Sequence, residues 1–159
     1  MILENQFKYH LANTPKDFER GHAIIVEYLA TLGIDLTYMN LPQEFSTLAE
    51  KYAAPEGAFI LALDGETVIG CAGVRKIDNE AAELKRVYVK DDYRGYKIGI
   101  SLIKKGLENA RELGYNKIRL DVIPTLVKAK KLYQSLGFYE IAPYFENPVP
   151  GTVYMEKEL

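Results

Sequence analysis

The stretch that most constrains the fold is a strand-like segment, Glu83–Val89, that leads through a basic, glycine-bearing turn into a helical pattern. After the turn, small or apolar residues recur in steps of three and four, which is the helical period. They are Leu102, Ile103, Gly106, Leu107, Ala110 and Leu113. A helix that begins at such a turn presents unpaired backbone N–H groups and the positive end of its dipole. We therefore predict a strand, a tight turn and a helix whose N-terminus binds an anion, of which phosphate is the commonest.

The spacing of residues within the turn excludes two known kinds of phosphate-binding loop. A nucleotide P-loop reads G-x-x-x-x-G-K-[ST], whereas Gly95 and Gly99 stand one residue too close and no Lys-Ser or Lys-Thr pair follows. The dinucleotide fingerprint G-x-G-x-x-G is also absent from the turn. Arg94 and Lys97 add positive charge at its rim. Taken alone, the turn is equally consistent with an ordinary strand–turn–helix that binds nothing.

Composition narrows the class of protein. A chain of 159 residues fits one domain, 1–159, with a sizeable core. The net charge of −2 gives no general reason to bind nucleic acid or an anionic membrane, although the basic clusters at 85–105 and 128–131 suit a small anionic ligand. No signal peptide or membrane-spanning run is visible, so we expect a cytoplasmic protein. The single cysteine, Cys71, excludes an internal disulfide and is predicted to be a buried thiol; the two histidines have no metal-site spacing, and we predict no metal.

Periodicity and turn signals predict the element order β-α-α-β-β-β-α-β-α-β-β. The first helix is expected to be capped by Asn13 or Thr14, with Pro15 at its first position. Asp64-Gly65-Glu66 between two apolar runs is a strong hairpin signal. The predicted elements are strand 6–11, helix 15–32, helix 41–52, strands 58–63, 67–75 and 82–89, the helix after the turn up to Leu113, strand 117–122, a helix between Thr125 and Gly137, and strands 139–142 and 152–157.

This order and three local patterns resemble the GNAT superfamily of N-acetyltransferases. The turn resembles the family's pyrophosphate loop, [QR]-x-x-G-x-[GA], with Arg94 first and Gly99 last, although Lys97 stands where the family usually has its first glycine. Ala129–Phe138 resembles the stretch A-x-x-L-Y-x-x-x-G-F, and Glu83–Val89 resembles the central strand. The resemblance implies an α/β (α+β) fold: a mixed, mostly antiparallel central sheet of six to seven strands, flanked by about four helices, with one splayed pair of strands.

The resemblance also implies acetyl-CoA as cosubstrate. Backbone amides of the turn would hold its pyrophosphate, and the pantetheine arm would pair with the end of the central strand, where the Val87 N–H would donate to the thioester carbonyl. A negative φ at Lys97 would suit this role, whereas a left-handed φ would cost about 1–2 kcal/mol. Leu126 stands where most members have Asn. The implied cofactor-binding residues are Val87, Tyr88, Val89, Arg94, Gly95, Tyr96, Lys97, Ile98, Gly99, Ile100, Leu126, Ala129 and Tyr133.

Two residues are candidates for the proton transfers of amine acetylation. By match to the family, Tyr133 is the acid that protonates the departing thiolate; the alternative is a core aromatic. Glu83 is a candidate base acting through water, because alternation along the strand places it on the same face as Val87. A solvated or ion-paired Glu83 is the alternative, and Glu80 or a route through water alone stays open.

The acceptor is expected to be an amine of a small molecule or a peptide, not nucleic acid or a membrane. Its pocket would come from the first helices and a late loop: Tyr28, Leu32, Tyr38, Met39 and Tyr144–Asn147. Glu146 could attract a cationic amine there, or the aromatic residues could form a lid without a ligand role. A homodimer is compatible with the resemblance. The alternative functions are an idle acyl-CoA-binding sensor or scaffold and a nucleotide-binding α/β protein.

Overall fold

The computed structural model of the protein describes residues 6–35, 37 and 40–159. In these residues seven strands form one sheet with the order β1-β2-β3-β4-β5-β7-β6. The strands are β1 (Phe7–Leu11), β2 (Ala58–Asp64), β3 (Thr67–Lys76), β4 (Ala81–Val89), β5 (Lys117–Val122), β6 (Tyr139–Ile141) and β7 (Val153–Glu158). The β4–β5 pair is parallel and the other neighbouring pairs are antiparallel. The sheet is therefore mixed and mostly antiparallel, as predicted.

The helices lie within the predicted ranges, but one of those ranges contains two helices. They are α1 (Pro15–Ala30), α2 (Leu41–Ser46), α3 (Leu48–Lys51), α4 (Ile98–Glu112) and α5 (Val127–Ser135), with a 3-10 turn at Asp91–Tyr93. The single helix predicted at 41–52 was wrong, because the chain breaks at Thr47. There the backbone has φ −111° and the hydroxyl donates to the Gln43 carbonyl at 2.9 Å. Such local bonding by threonine competes with the regular helical ladder.

Helices cover both faces of the sheet. One core lies under α4 and α5 and contains the fully buried Leu102, Ile103 and Ile118. The second core lies under α1 and α3 and contains Ile25 and Phe59. Cys71 is buried in this second core, as predicted. In the described part of the chain, none of the helices has the length and apolar character needed to cross a membrane.

Three local sequence signals take the predicted geometry. Thr14 caps α1, since its hydroxyl accepts a hydrogen bond from the Asp17 N–H at 3.1 Å, and Pro15 is the first helical residue. Gly65 turns the β2–β3 hairpin with φ 59°. Gly137 follows α5 with φ 95°, in the left-handed region that glycine adopts without strain at a helix end.

Candidate functional site

The β4–β5 pair opens after three residues. Ala81, Ala82 and Glu83 pair with Lys117, Ile118 and Arg119, and the paired register ends there. Beyond this point a cleft of about 850 Å³ lies along the two strands. Residues of four regions line it: Tyr28, Leu32, Glu44 and Lys51; Arg75, Lys85, Arg86, Val87, Tyr88, Val89 and Arg94; Asp121, Leu126, Ala129 and Tyr133; and Phe145, Glu146 and Asn147. A strand edge in such a cleft offers backbone N–H and C=O groups to an extended ligand.

A β-bulge in β4 determines which side chains face the cleft. Gly73 pairs with Lys85 and Cys71 pairs with Tyr88, so two residues, Arg86 and Val87, stand opposite one. Arg86 has φ 59°, in the left-handed region. A bulge of this kind kinks the strand and shifts the alternation of its side chains by one position.

This shift overturns the expectation that Glu83 and Val87 share a face of the strand. Leu84 and Val87 both pack against the core under α4 and α5, although they are three residues apart. Glu83, next to Leu84, lies on the opposite face, where it binds Arg75. Simple alternation fails here because the bulge inserts one residue between the two positions.

We refer to the part of the cleft bordered by Val89, Arg94, Leu126 and Tyr133 as the loop end. The turn before α4 adjoins it. Helix α4 begins at Ile98, so the N–H groups of Ile98, Gly99 and Ile100 have no carbonyl to bond within the helix. Gly95 has φ 93°, and Lys97, the N-cap residue, has φ 60° and ψ 23°. Lys97 thus adopts the left-handed conformation that is costly for a non-glycine residue.

Aromatic contacts hold this turn against the edge of the sheet. The rings of Tyr93 and Tyr96 each lie 5.9 Å from the ring of Phe7 in β1. The Tyr93 hydroxyl donates to Asp64 at 2.8 Å. Arg94, on the rim, pairs with Asp91 at 3.1 Å and is largely exposed. The backbone of the turn is therefore held in place independently of any ligand, which is what an anion-binding loop needs.

Tyr133, a residue of α5, forms part of the cleft wall at the loop end. Its side chain is buried, packs edge-to-face on Phe138 at 5.5 Å, and lines the cleft. Burial, together with the Asp121 carboxylate, raises the pKa of the phenol above its ordinary value. A protonated phenol in the cleft wall can donate a proton at neutral pH. Tyr133 is thus a core aromatic that also lines the cleft, and its role as the acid stays a prediction.

We refer to the part of the cleft bordered by Glu44, Arg75, Lys85 and Arg86 as the charged end. Arg86 bonds Glu44 of α2 at 2.6 Å, and both side chains are about 6% exposed. The Tyr52 hydroxyl donates to the other Glu44 oxygen at 3.2 Å. Burial alone would raise the pKa of Glu44, but the Arg86 guanidinium outweighs it and holds that pKa below its usual value.

Glu83 lies behind the charged end and is not among the residues that line the cleft. Arg75 donates to its Oε1 atom at 2.9 Å, and the Tyr144 hydroxyl donates to its Oε2 atom at 2.6 Å. Burial would raise the pKa of Glu83, but Lys85 and Arg75 outweigh burial and lower it. The expected base is thus an ion-paired carboxylate, and its role as base stays a prediction.

The loop between β6 and β7 forms the remaining wall of the charged end. Besides the Tyr144 bond to Glu83, Asn147 donates to Asp121 Oδ2 at 2.8 Å and its backbone N–H donates to the Tyr154 hydroxyl at 2.9 Å. The rings of Tyr144, Phe145 and Tyr154 pack edge-to-face at 5.2–5.5 Å. The loop is therefore a fixed wall attached to three other elements.

Most residues predicted from the sequence meet at this cleft. Val87, Tyr88, Val89, Arg94, Leu126, Ala129 and Tyr133 line it, as do Tyr28, Leu32, Phe145, Glu146 and Asn147. The remaining predicted turn residues, 95–100, follow Arg94 in the chain and are not among the residues that line the cleft. Tyr38 and Met39 lie outside the described residues. Within the described part of the chain, no group of three or more His, Cys, Asp or Glu side chains could hold a metal ion.

Comparisons with known proteins point to one family. The profile of the Acetyltransferase (GNAT) family matches residues 26–138, which is more than half of the chain. An uncharacterized N-acetyltransferase of Schizosaccharomyces pombe is 37% identical over 100% of this chain and 99% of its own length. The chain belongs to the GNAT acetyltransferase family. The predicted family is thereby confirmed.

Solved structures show that this GNAT chain shares its fold widely. An acetyltransferase from Streptococcus agalactiae has a TM-score of 0.78 at 21% identity, covering 97% of this chain and 99% of that one. A GNAT family acetyltransferase from Elizabethkingia anophelis, with acetyl-CoA bound, has a TM-score of 0.62 at 20% identity, covering 98% and 99%. At these identities the likeness concerns the fold alone, and it confirms the predicted GNAT-type fold class.

Sequence reasoning missed the charged end of this GNAT chain. Lys85 and Arg86 were noted only as part of the basic cluster 85–105, and Arg75, Glu44 and Asp121 were not singled out. A signal was present, since all three cations interrupt strands that are otherwise largely apolar. Charged residues inside such strands are rarely buried unless they are paired or functional.

Proposed function

We propose that this protein is an acetyl-CoA-dependent N-acetyltransferase that transfers the acetyl group directly to a primary amine. The observation that carries the proposal is the cleft along the opened β4–β5 pair, with the start of α4 next to one end and a buried phenol in its wall. Membership of the GNAT family supports the same activity. The Elizabethkingia anophelis relative that contains acetyl-CoA supports this choice of cosubstrate.

The chain's own residues fit the cosubstrate. The N–H groups of Ile98, Gly99 and Ile100 suit a pyrophosphate, because the first turn of α4 leaves them without helical partners. Of the other predicted amides in the turn from Arg94 to Ile100, that of Arg94 already donates to the Asp91 carbonyl at 3.2 Å. The cleft volume of about 850 Å³ is large enough for an extended arm. The backbone of Val87 and Val89 would pair with that arm, and the Val87 N–H would donate to the thioester carbonyl. A donor in such a position contributes about 3–4 kcal/mol to transition-state stabilisation.

Bound acetyl-CoA would supply the acetyl group as a thioester, whose carbonyl carbon forms a C–N bond with the acceptor while its C–S bond breaks. Tyr133 gives its phenolic proton to the departing sulfur, and the resulting phenolate is later reprotonated from solvent. The acceptor nitrogen releases one proton. Acetyl transfer therefore leaves an N-acetyl amide and CoA thiol, with no change in oxidation state.

The base that takes the amine proton is the least constrained part of the mechanism. Glu83 is 4% exposed by side chain, ion-paired, and has a lowered pKa, all of which make a carboxylate a weak base. Glu80 lies in the β3–β4 turn, outside the lining of the cleft. We propose that water carries the proton away and that Glu83 holds Arg75 and Lys85 in place. A base role of Glu83 through water predicts that Glu83→Gln shifts the acidic limb of the pH–rate profile.

A CoA-release screen tests the proposed function. The purified chain is incubated with acetyl-CoA and amines, amino acids, polyamines and peptides, and thiol release is recorded beside thermal-shift binding of CoA, ATP and NAD. We expect stabilisation by CoA and release of thiol with at least one acceptor class. Binding of acetyl-CoA without transfer across the panel would favour a sensor or scaffold instead. Stabilisation by ATP or NAD but not by CoA would overturn the proposal.

A further inference from the structure

Three cations and two ion-paired carboxylates meet at the charged end of the cleft. Arg75 in β3 and Lys85 and Arg86 in β4 all line the cleft. The bulge in β4 contributes to this arrangement. It interrupts the alternation of side chains between the two faces of the strand at Arg86, which directly follows Lys85. Two carboxylates, Glu83 and Glu44, lie among these three cations.

Both carboxylates are already bound on both oxygens. Glu83 accepts from Arg75 and from the Tyr144 hydroxyl. Glu44 accepts from Arg86 and from the Tyr52 hydroxyl. Each arginine is thus matched to one carboxylate by a short, charge-assisted hydrogen bond, and such pairs are stable in a buried setting. The third cation, Lys85, shares Glu83 with Arg75 at the longer distance of 3.8 Å.

The Lys85 ammonium lies in the cleft wall. Within the described residues, its ion pair is with Glu83 Oε1 at 3.8 Å, which exceeds the length of a hydrogen bond. Its side chain is 13% exposed, and its nitrogen lies 5.8 Å from the centre of the Phe145 ring. Burial lowers the pKa of Lys85 because the charged form loses hydration there. A buried ammonium with unused donors is stabilised by an anionic ligand.

The opposite wall of the cleft has the opposite sign. Asp121 in β5 lines the cleft, and its charge acts on the pKa of both Tyr133 and Lys85, so the carboxylate lies within electrostatic reach of each. Asn147 donates to Asp121 Oδ2 at 2.8 Å and so fixes the carboxylate without neutralising it. Glu146 also lines the cleft but is exposed. The cleft therefore offers a cation on β4, Lys85, and an anion on β5, Asp121.

We propose that the acceptor is a free amino acid, whose carboxylate is bound by Lys85 and whose amino group faces Asp121 and the loop end. The inference rests on the proposed acetyl transfer and narrows its acceptor class. A peptide N-terminus lacks a carboxylate next to its amine, and a polyamine would bring further positive charge against Lys85, Arg75 and Arg86. A zwitterion matches both walls of the cleft.

Matched acceptors test the proposal. CoA release is measured with the twenty free L-amino acids, the corresponding amino-acid amides, and putrescine and spermidine. The amide keeps the amine and side chain but loses the anionic charge. We expect the preferred amino acid to exceed its amide in kcat/KM by about tenfold or more, with polyamines slowest. An amide or a polyamine that reacts as well as any amino acid overturns the inference while leaving the proposed acetyl transfer intact.

Substitutions of Lys85 test whether this residue causes the preference for an amino acid over its amide. Lys85→Gln is expected to raise KM for the amino acid by about 10- to 100-fold and to leave KM for its amide unchanged, whereas Lys85→Arg keeps the preference. Lys104→Gln, on the exposed face of α4, is the matched control and should behave as wild type. An unchanged amino acid-to-amide ratio in Lys85→Gln contradicts the proposal.

Two further measurements keep the test decisive. Asp121→Asn preserves an oxygen that accepts from Asn147, and it should weaken amino acids and their amides alike because both present an amine. Isothermal titration of each amino acid into CoA-saturated protein measures binding without turnover. Binding that Lys85→Gln abolishes supports the inference even if no acceptor is acetylated. Absence of any amino-acid binding to CoA-saturated wild type overturns it.

Discussion

The two ends of the cleft are built in different ways. At the loop end, the interacting groups are main-chain atoms of one continuous turn, and the supporting contacts are apolar rings such as Phe7, Tyr93 and Tyr96. At the charged end, the interacting groups are side chains brought together by α2, β3, β4 and the β6–β7 loop; Arg86 and Glu44 are 42 residues apart. The first arrangement depends on backbone conformation, and the second depends on paired charges. Substitutions at the two ends should therefore affect different quantities: activity at the loop end and folding stability at the charged end.

The largest effect is expected for a substitution at the loop end, and it should lower kcat without changing stability. Tyr133→Phe keeps the buried ring and its packing on Phe138 but removes the proton donor. We expect kcat to fall by about 10²- to 10⁴-fold. The unfolding midpoint should change little, since the ring stays in the core. Steady-state kinetics and thermal unfolding of the same preparation separate the two quantities.

A matched control for Tyr133→Phe is Tyr139→Phe. Tyr139 in β6 is 42% exposed and bonds Glu156 at 2.7 Å, away from the cleft lining. It should retain wild-type kcat. If Tyr133→Phe keeps full activity, the phenol is a core aromatic only, and solvent must protonate the thiolate.

The opposite outcome is expected at the charged end, where Glu44→Gln should act on stability. The substitution leaves the Arg86 guanidinium buried without its counter-charge, which costs about 3–5 kcal/mol. Urea denaturation measures the loss. The double variant Glu44→Gln, Arg86→Gln should lose less than the single variant, because it leaves no unpaired charge.

Glu56→Gln is the surface comparison for Glu44→Gln. Glu56 pairs with Lys76 at 3.3 Å, with both side chains partly exposed. Exposed pairs contribute about 0–1 kcal/mol, so this variant should be near wild type. Equal effects of the two substitutions would show that water already screens the Arg86–Glu44 pair.

Lowering the pH should reduce the folding stability that the carboxylates of the charged end contribute. The pKa of Glu83 and that of Glu44 are lower in the folded protein than the ordinary value of 4.5, because the neighbouring cations outweigh burial. The unfolded chain therefore binds more protons near this pH, and stability increases with pH. This stabilisation is present above pH 4.5 and is lost as pH falls through the folded-state pKa values.

Glu83→Gln tests that assignment. Because glutamine does not titrate, the variant should lose part of the acid dependence of unfolding free energy. At neutral pH it should be less stable by about 1.5–3 kcal/mol, the contribution of a hydrogen bond to a charged group. Denaturant titrations from pH 3 to pH 7 measure both. An unchanged slope below pH 4.5 in the variant would assign the acid sensitivity to other carboxylates.

These differences explain what the sequence could predict. The loop end was predictable because its parts are neighbours in sequence: a strand, a turn containing Arg94 and Gly99, and a helix. The charged end was not, because Glu44 and Arg86 meet only once α2 packs beside β4. The bulge was also missed, since Arg86 is a left-handed residue without the glycine that would signal it. Glu83 was therefore placed on the wrong face by an alternation rule that holds only in regular strands.

The smallest effect should come from the backbone of the turn. Lys97 has φ 60° and ψ 23°, a conformation that costs an L-residue about 1–2 kcal/mol and costs glycine little. Lys97→Gly should therefore stabilise the protein by about 1 kcal/mol, the reverse of the usual effect of glycine at a helix start. Urea denaturation at constant m-value measures the gain.

Lys97→Ala is the matched variant, since it removes the same charge but retains the Cβ atom and its strain. The difference between the glycine and alanine variants isolates the backbone term. If main-chain N–H groups of the turn hold the pyrophosphate, both variants should bind CoA within a few-fold of each other by calorimetry. A large loss of CoA binding in both variants would show that the Lys97 ammonium, not the main-chain N–H groups, binds the pyrophosphate. Ligand binding at the loop end would then depend on side-chain charge, as it does at the charged end.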